Sequence, residues 1–408
     1  MPILTLMHVG GWAILFLTFA TTIASDWPQF LGPTRNGVYS GNDLAPAIPA
    51  SPIVWKKDVG EGFAAPVVAA GKLILFHRFA GREVVDCLDA TTGAKVWSYA
   101  YATSYRDDFG FDEGPRAAPV VSGGAVYTFG AQGVLTAIDF ATGKKRWSVV
   151  TAEQFAVKKG FFGAAGSPLV EAGKVIVNVG GPGAGIVAFD AATGNVVWKA
   201  TSDEASYSAP TIADIGGARH ALFFTRAGLD DLDPSNGAVR FSFPWRSRSS
   251  ASVNAATPLA IGNQVFISAS YGTGAALLEI NGSAVKKIWS NDDSMSNHYS
   301  TCVYRDGNLY GFHGRQEEGQ SLRCVQWRTG KVMWNVDGYG AGTVTLAGDR
   351  LVILRKNGEL VLAPAAPDAF RPSARTSILG KPVRAFPALA DGRLYARDEH
   401  SLVCVRLK

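Results

Sequence analysis

Along most of the chain, short apolar runs alternate with polar positions and are cut every few residues by Gly, Asn or Asp, the two-residue period of half-buried strands. No segment of useful length carries the 3.6-residue period of a helix. The runs themselves repeat. A small-Pro-apolar-apolar step leads into a Gly turn and a further apolar strand at Ala65-Pro66-Val67-Val68 before Gly71, Ala118-Pro119-Val120-Val121 before Gly124, and Ser167-Pro168-Leu169-Val170 before Gly173. The step continues at Pro210, Pro258 and Pro387. Two copies replace the proline, at Cys302 and Thr343, and keep the spacing to Gly307 and Gly348, which makes eight copies.

Each copy has a second half, in which an apolar strand ends in Asp, turns through Thr-Gly or Asn-Gly, and leaves on a strand that reaches Trp. Cys87 to Trp97, Ala137 to Trp147 and Ala188 to Trp198 show it best; weaker versions end at Phe241, Trp289 and Trp334. The turn glycine supplies the positive φ that a tight hairpin needs. Each unit is therefore four strands, and four strands in roughly 40 to 50 residues is the spacing of propeller blades. The prediction is an all-β, eight-bladed β-propeller of four-stranded antiparallel blades.

The eighth copy stops at Leu402-Val403-Cys404-Val405 without a fourth strand, while Ile53-Val54-Trp55-Lys56-Lys57 is an outer strand without a blade. Pairing the two closes the ring with an N-terminal strand and removes an open sheet edge. The repeated Trp has a packing role: on the outer strand it can cover the turn of the next blade, worth about 2 to 3 kcal/mol of burial. The cysteines fall on the same grid, Cys87, Cys324 and Cys404 at a third-strand position held elsewhere by Ala, and Cys302 in a proline slot. They read as free buried thiols.

Residues 9–23 form one uncharged apolar stretch, and small residues precede a cut after Ala24. This reads as a signal peptide over 1–24, with a retained N-terminal anchor as the alternative because the n-region lacks Lys and Arg. Residues 25–52 then form an extended N-terminal segment packing on the ring, and 53–408 the propeller. No other window could span a bilayer, so the mature chain is expected without a transmembrane segment, periplasmic or secreted. A net charge of +5 with no basic run argues against a nucleic-acid partner.

Several stretches resemble the pyrroloquinoline-quinone (PQQ) propeller repeat family of exported bacterial type: Trp27-Pro28-Gln29-Phe30-Leu31-Gly32-Pro33, Gly114-Pro115-Arg116-Ala117-Ala118-Pro119, and Gly392-Arg393-Leu394-Tyr395-Ala396-Arg397-Asp398. The resemblance spans nearly all of residues 26–408. Within it, quinoprotein dehydrogenases hold PQQ and calcium on the ring axis beside adjacent cysteines, whereas the outer-membrane assembly propeller lipoprotein is non-catalytic and binds partner proteins. This chain has no Cys-Cys pair, no haem-attachment motif and no Cys at the cut. A fold hosts many functions. The resemblance thus implies a non-catalytic propeller binding a protein or small ligand on its top face, with no cofactor, and as the alternative a minimal PQQ-dependent oxidoreductase using PQQ and calcium.

The connections that lead into each first strand converge on the axis. The candidate ligand-binding rim is Arg116, Tyr207, His298, Tyr299 and Arg384, flanked by the loops Tyr105 to Arg116 and His313 to Gln320. Asp107, Asp108, Asp112 and Glu113 crowd one of these loops and are the candidate ligands for a hard cation. Their spacing is no EF-hand, and the same residues read as a solvated loop paired with Arg106 and Arg116. The glycines at 180–185 read as a hairpin, and His298 and His313 as surface polar residues without metal spacing. No catalytic residue is assigned.

Overall fold

The computed structural model describes residues 25–41, 43–45, 47–249 and 253–408. The expected signal peptide lies outside them. Eight antiparallel sheets follow one another around a ring. Blade one is Val67–Ala69, Lys72–Phe79, Arg82–Asp89 and Lys95–Ala102. Blades two to seven repeat the order over 120–150, 169–200, 211–244, 259–291, 303–336 and 342–377. Blade eight takes its three inner strands from 388–406 and its outer strand from Ile53–Asp58, which pairs antiparallel with Ser401–Arg406. The only helix among the described residues is the single turn Thr151–Gln154, and none is long and apolar enough to cross a membrane.

The turn after each third strand shows why the Asp-Thr-Gly signature recurs. Oδ1 of Asp89 accepts from the backbone N–H groups of Thr91 and Thr92 and from the Thr92 hydroxyl. Asp139 and Asp190 cap their turns in the same way. These bonds hold the Asp89 and Asp190 carboxyls below their ordinary range. The turn glycines have φ near +73° to +75° at Gly93, Gly143 and Gly194. They are also pressed by a ring from the preceding blade: a Cβ on Gly143 would stand 2.7 Å from the Trp97 indole, and one on Gly194 2.7 Å from Trp147.

Those indoles close the seams. Trp97 Nε1 donates to the Phe140 carbonyl at 3.0 Å, Trp147 to Ala191 at 3.0 Å, Trp198 to Pro234 at 3.3 Å, Trp289 to Trp327 at 2.9 Å and Trp334 to Ala366 at 2.9 Å. Trp55 donates to Ala90 of blade one at 3.1 Å, so the seam between the last blade and the first is built like the others. A shift of register beside each of these tryptophans, a β-bulge, turns the ring toward the neighbouring blade. Opposite five of the six on the third strand sits a small residue: Cys87 faces Trp97, Ala137 faces Trp147, Ala188 faces Trp198, Cys324 faces Trp334 and Cys404 faces Trp55, while Leu277 faces Trp289. All four cysteines are free and buried. Burial pushes the thiols of Cys87, Cys324 and Cys404 up to about 11, which makes them inert hydrophobes.

The N-terminal segment does more than pack on the ring. Trp27 bridges Val68 of blade one, the Pro28 carbonyl accepts from Val121 of blade two, and Val38–Tyr39 pairs in parallel with Leu346 and Ala347 of blade seven. Arg35, 1% exposed, donates to the carbonyls of Pro210 at 3.0 Å and Pro168 and to Gln29 Oε1 at 2.9 Å. A segment that touches the innermost edge of blades one, two, three, four and seven has to cross the axis. It plugs the channel. Arg35 has no carboxylate partner there, and burial lowers its guanidinium to about 9.

Candidate functional site

Above the plug the channel opens as a blind cup of about 380 Å³. Its floor is Phe30, packed edge-on against Phe386 with ring centroids 5.1 Å apart. All five rim residues expected from the repeat, Arg116, Tyr207, His298, Tyr299 and Arg384, line this one cavity. Four of them share a register, three residues before the proline slot, and the rule extends further. Phe63, Ala165 and Ala255 occupy the same place in blades one, three and five and also line the cup. The strands fan out from the axis, so equivalent positions just before them converge on it. Phe63 was recognisable from this register and was missed.

Four further aromatics were also missed. Phe109 and Phe111, from the loop before blade two, stack 5.8 Å apart. Phe161 and Phe162, from the long connection before blade three, lie 5.8 Å and 5.4 Å from Phe109. Phe162 meets Tyr207 edge-on at 5.4 Å, and the Tyr207 hydroxyl accepts from its backbone N–H at 3.0 Å. The connection from blade two to blade three is longer than either loop singled out from the sequence. Its signal was a pair of adjacent phenylalanines in a Gly-rich linker, where no strand period accounts for them.

His298 corrects its reading as a surface residue: it is 7% exposed. Nε2 lies 2.9 Å from the Tyr271 hydroxyl, and Nδ1 has no hydrogen-bond partner among the described residues. Burial lowers its pKa to about 4, so the ring is neutral at physiological pH. His313 is half-buried, accepts from the Ser296 N–H at 3.1 Å, and is likewise lowered to about 4 by burial. Tyr299 points a hydroxyl without a partner, pushed up to about 12 by burial.

The four acidic residues of the loop have separate partners. Asp107 Oδ2 accepts from the N–H groups of Phe111 at 2.8 Å and Asp112 at 3.2 Å and from Arg116 at 3.2 Å. Asp112 accepts from Gly62 at 2.9 Å and Gly114 at 2.7 Å. Glu113 pairs with Arg106 and Arg78, and Asp108 with Lys159. The four carboxylates thus point to different backbone and cationic partners, and among the described residues no group of three or more His, Cys, Asp or Glu is gathered for a metal. Their work is to shape the loop that carries Phe109 and Phe111.

Two of the three arginines that line the cup differ sharply. Arg116 is occupied, bonded to Asp107, to the Asp112 carbonyl at 3.0 Å and to the Gly114 carbonyl at 3.4 Å. Arg384 lies 5.0 Å from the Phe63 ring centroid and 5.4 Å from that of Phe111, and its Nε is buried without an acceptor among the described residues. Such a wall can hold a flat apolar group and receive one anion.

Residues 81–314 match the family model described as outer membrane protein assembly factor BamB. No curated protein matches the sequence significantly. Among solved structures, BamB from Moraxella catarrhalis superposes with a TM-score of 0.64 at 15% identity, covering 87% of this chain and 97% of that one. A quinohemoprotein alcohol dehydrogenase from Comamonas testosteroni superposes at 0.66 and 14% identity, covering 93% and 80%. A computationally designed protein, Ika8, gives 0.59 at 13% identity, covering 87% and 100%. At such identities the likeness is one of fold.

Proposed function

Because the chain belongs to the propeller family described as outer membrane protein assembly factor BamB, we propose that it is an exported, non-catalytic binding protein that takes its ligand in the axial cup. The ligand is a small molecule or a side chain of a partner protein, and the export step removes residues 1–24. One observation carries this reading: five residues spaced from 116 to 384 in the chain converge on a single blind, aromatic-walled cavity. Cavities of this size that are mostly apolar with a few convergent polar groups are the usual form of a ligand site. The exposed rings of Phe109 and Phe111 stand at its lip, where a partner's surface would meet them.

The oxidoreductase alternative receives less support. Calcium takes six to eight oxygen ligands, and Glu317 is the single carboxylate lining the cup among the described residues. The donor set does not fit PQQ with calcium, and no catalytic step is assigned. The test has two arms. The amphiphilic anionic fluorophore 1-anilinonaphthalene-8-sulfonate, which brightens when its rings enter an apolar site, should brighten with the native chain and not with Ala209→Trp, which fills the cup. Oxidation of an alcohol or sugar after addition of PQQ, calcium and an electron-acceptor dye would overturn the non-catalytic reading.

A further inference from the structure

The charges around the cup are unequally satisfied. Of its cationic side chains, Arg116 is bonded as described, and Arg315 pairs with Glu317 at 3.5 Å and Glu318 at 3.2 Å while lying 4.5 Å over the Tyr271 ring. Arg384 alone among the three has neither an ion pair nor a hydrogen bond among the described residues; its neighbours are the faces of Phe63 and Phe111. Lys356 stands close enough that burial and the Arg384 charge both lower its pKa. This corner of the cup is thus a positive pole, with Glu317 the one nearby carboxylate and that one already shared with Arg315.

A guanidinium whose buried Nε has no acceptor is a costly arrangement in a folded protein. A carboxylate delivered by a ligand relieves it, since charge-assisted bonds to arginine are strong and directional. The rest of the cup defines what that carboxylate is attached to. Phe63 and Phe111 flank the guanidinium, Phe30 and Phe386 form the floor, and Tyr299 and His298 each offer one unused polar atom. Flat apolar rings stack favourably on such faces.

We propose that the cup is selective for planar aromatic monocarboxylates, the single carboxylate bound by Arg384 and the ring held among the phenylalanine faces. Arg384 is the one unpaired cation among the residues that line the cup, Lys356 not being one of them, and it selects one anionic group; a di- or tricarboxylate would leave charge in the cup without a partner. This inference rests on the cup being a binding site, and its test separates the two.

The probes are naphthalene-2-carboxylate and its neutral isostere naphthalene-2-carboxamide, titrated calorimetrically into the whole mature chain. The carboxylate should bind about tenfold or more tightly than the carboxamide, the worth of a charge-assisted bond. Arg384→Gln should bring the carboxylate down to the carboxamide's affinity and leave the carboxamide unchanged. Arg384→Lys should restore part of the preference. Melting curves of both variants should stay close to the native one, because no ion pair or hydrogen bond of Arg384 is lost and only its contacts with the Phe63 and Phe111 faces change. Equal binding of both probes to the native chain, with Arg384→Gln affecting neither, overturns anion selection and leaves the cup as a binding site. Absence of binding by either probe at millimolar concentration overturns this inference and the small-ligand reading together. Binding of PQQ more tightly than the monocarboxylate overturns the inference alone.

Discussion

The seams between blades and the mouth of the channel are both built from aromatics, yet they treat their polar atoms in opposite ways. At the seams, Trp55, Trp97, Trp147, Trp198, Trp289 and Trp334 each donate to a carbonyl of the neighbouring blade. At the mouth, the Arg384 Nε, the Tyr299 hydroxyl and His298 Nδ1 are buried without hydrogen-bond partners among the described residues. Aromatic rings with satisfied polar edges hold a structure together. Aromatic rings around unsatisfied polar atoms form a place where something else can bind.

Substitution at a seam breaks this comparison most strongly. Trp147→Ala empties a buried site opposite Ala137 and removes the bond to Ala191. The expected loss is about 3 to 5 kcal/mol by denaturant titration. A loss under about 1 kcal/mol would mean that the seams do not carry the stability of the ring.

Two substitutions sharpen it with smaller effects, on the order of 1 to 3 kcal/mol each. Gly194→Ala places a methyl 2.7 Å from the Trp147 indole at a φ of +75°. Asp112→Ala leaves the N–H groups of Gly62 and Gly114 without their acceptor. If the acidic loop held a cation instead, removing calcium with EDTA would lower the melting temperature of the native chain; no change is expected.

The mouth predicts a pH effect that the seams do not. His298 is lowered from 6.5 to about 4, so at this site the unfolded chain binds more protons than the folded one in that window. The His298 contribution to stability therefore rises with pH from about 4 to 6.5 and is lost as pH falls through it, while the buried Asp230 carboxyl, raised to about 7, contributes in the opposite direction. The groups facing His298 are Tyr271, Arg315, Glu317 and Arg384. His298→Gln should flatten the slope of melting temperature against pH there, leaving the part that His313 contributes in the same direction. A slope unchanged by the substitution would show that His298 is solvated.

The smallest effect belongs to the lip. Phe109, 52% exposed, should tolerate Phe109→Ser within about 0.5 kcal/mol. A larger loss would make the lip part of the structural core and erase the contrast with the seams.

Much of the ring was legible because its determinants are local. A strand ending in Asp-x-x-Thr-Gly writes its own hairpin, since Asp89 caps residues two and three positions on and Gly93 adopts the φ the turn needs. The match of Trp to a small third-strand residue is likewise periodic, which is why Cys87, Cys324 and Cys404 read as packing positions. The cup was legible only where it follows the repeat. Arg116, Tyr207, Tyr299 and Arg384 share one register, whereas Phe109, Phe111, Phe161 and Phe162 sit in connections that have no period to read. The plug was not legible at all: Arg35 meets Pro168 and Pro210, more than a hundred residues away, through backbone carbonyls that any residue would present.

By itself, the order of residues determined eight blades, their hairpins, and which positions approach the axis, because turns and strand alternation depend on neighbours a few residues apart. Arg116 and Arg384 are equivalent at that level, each three residues before a proline. Only the tertiary structure distinguishes them, by folding an Asp-rich loop back onto Arg116 and leaving Arg384 among phenyl rings. Whether a buried charge is paired depends on what the rest of the chain brings within about 4 Å of it, and that distance is set by the closed ring.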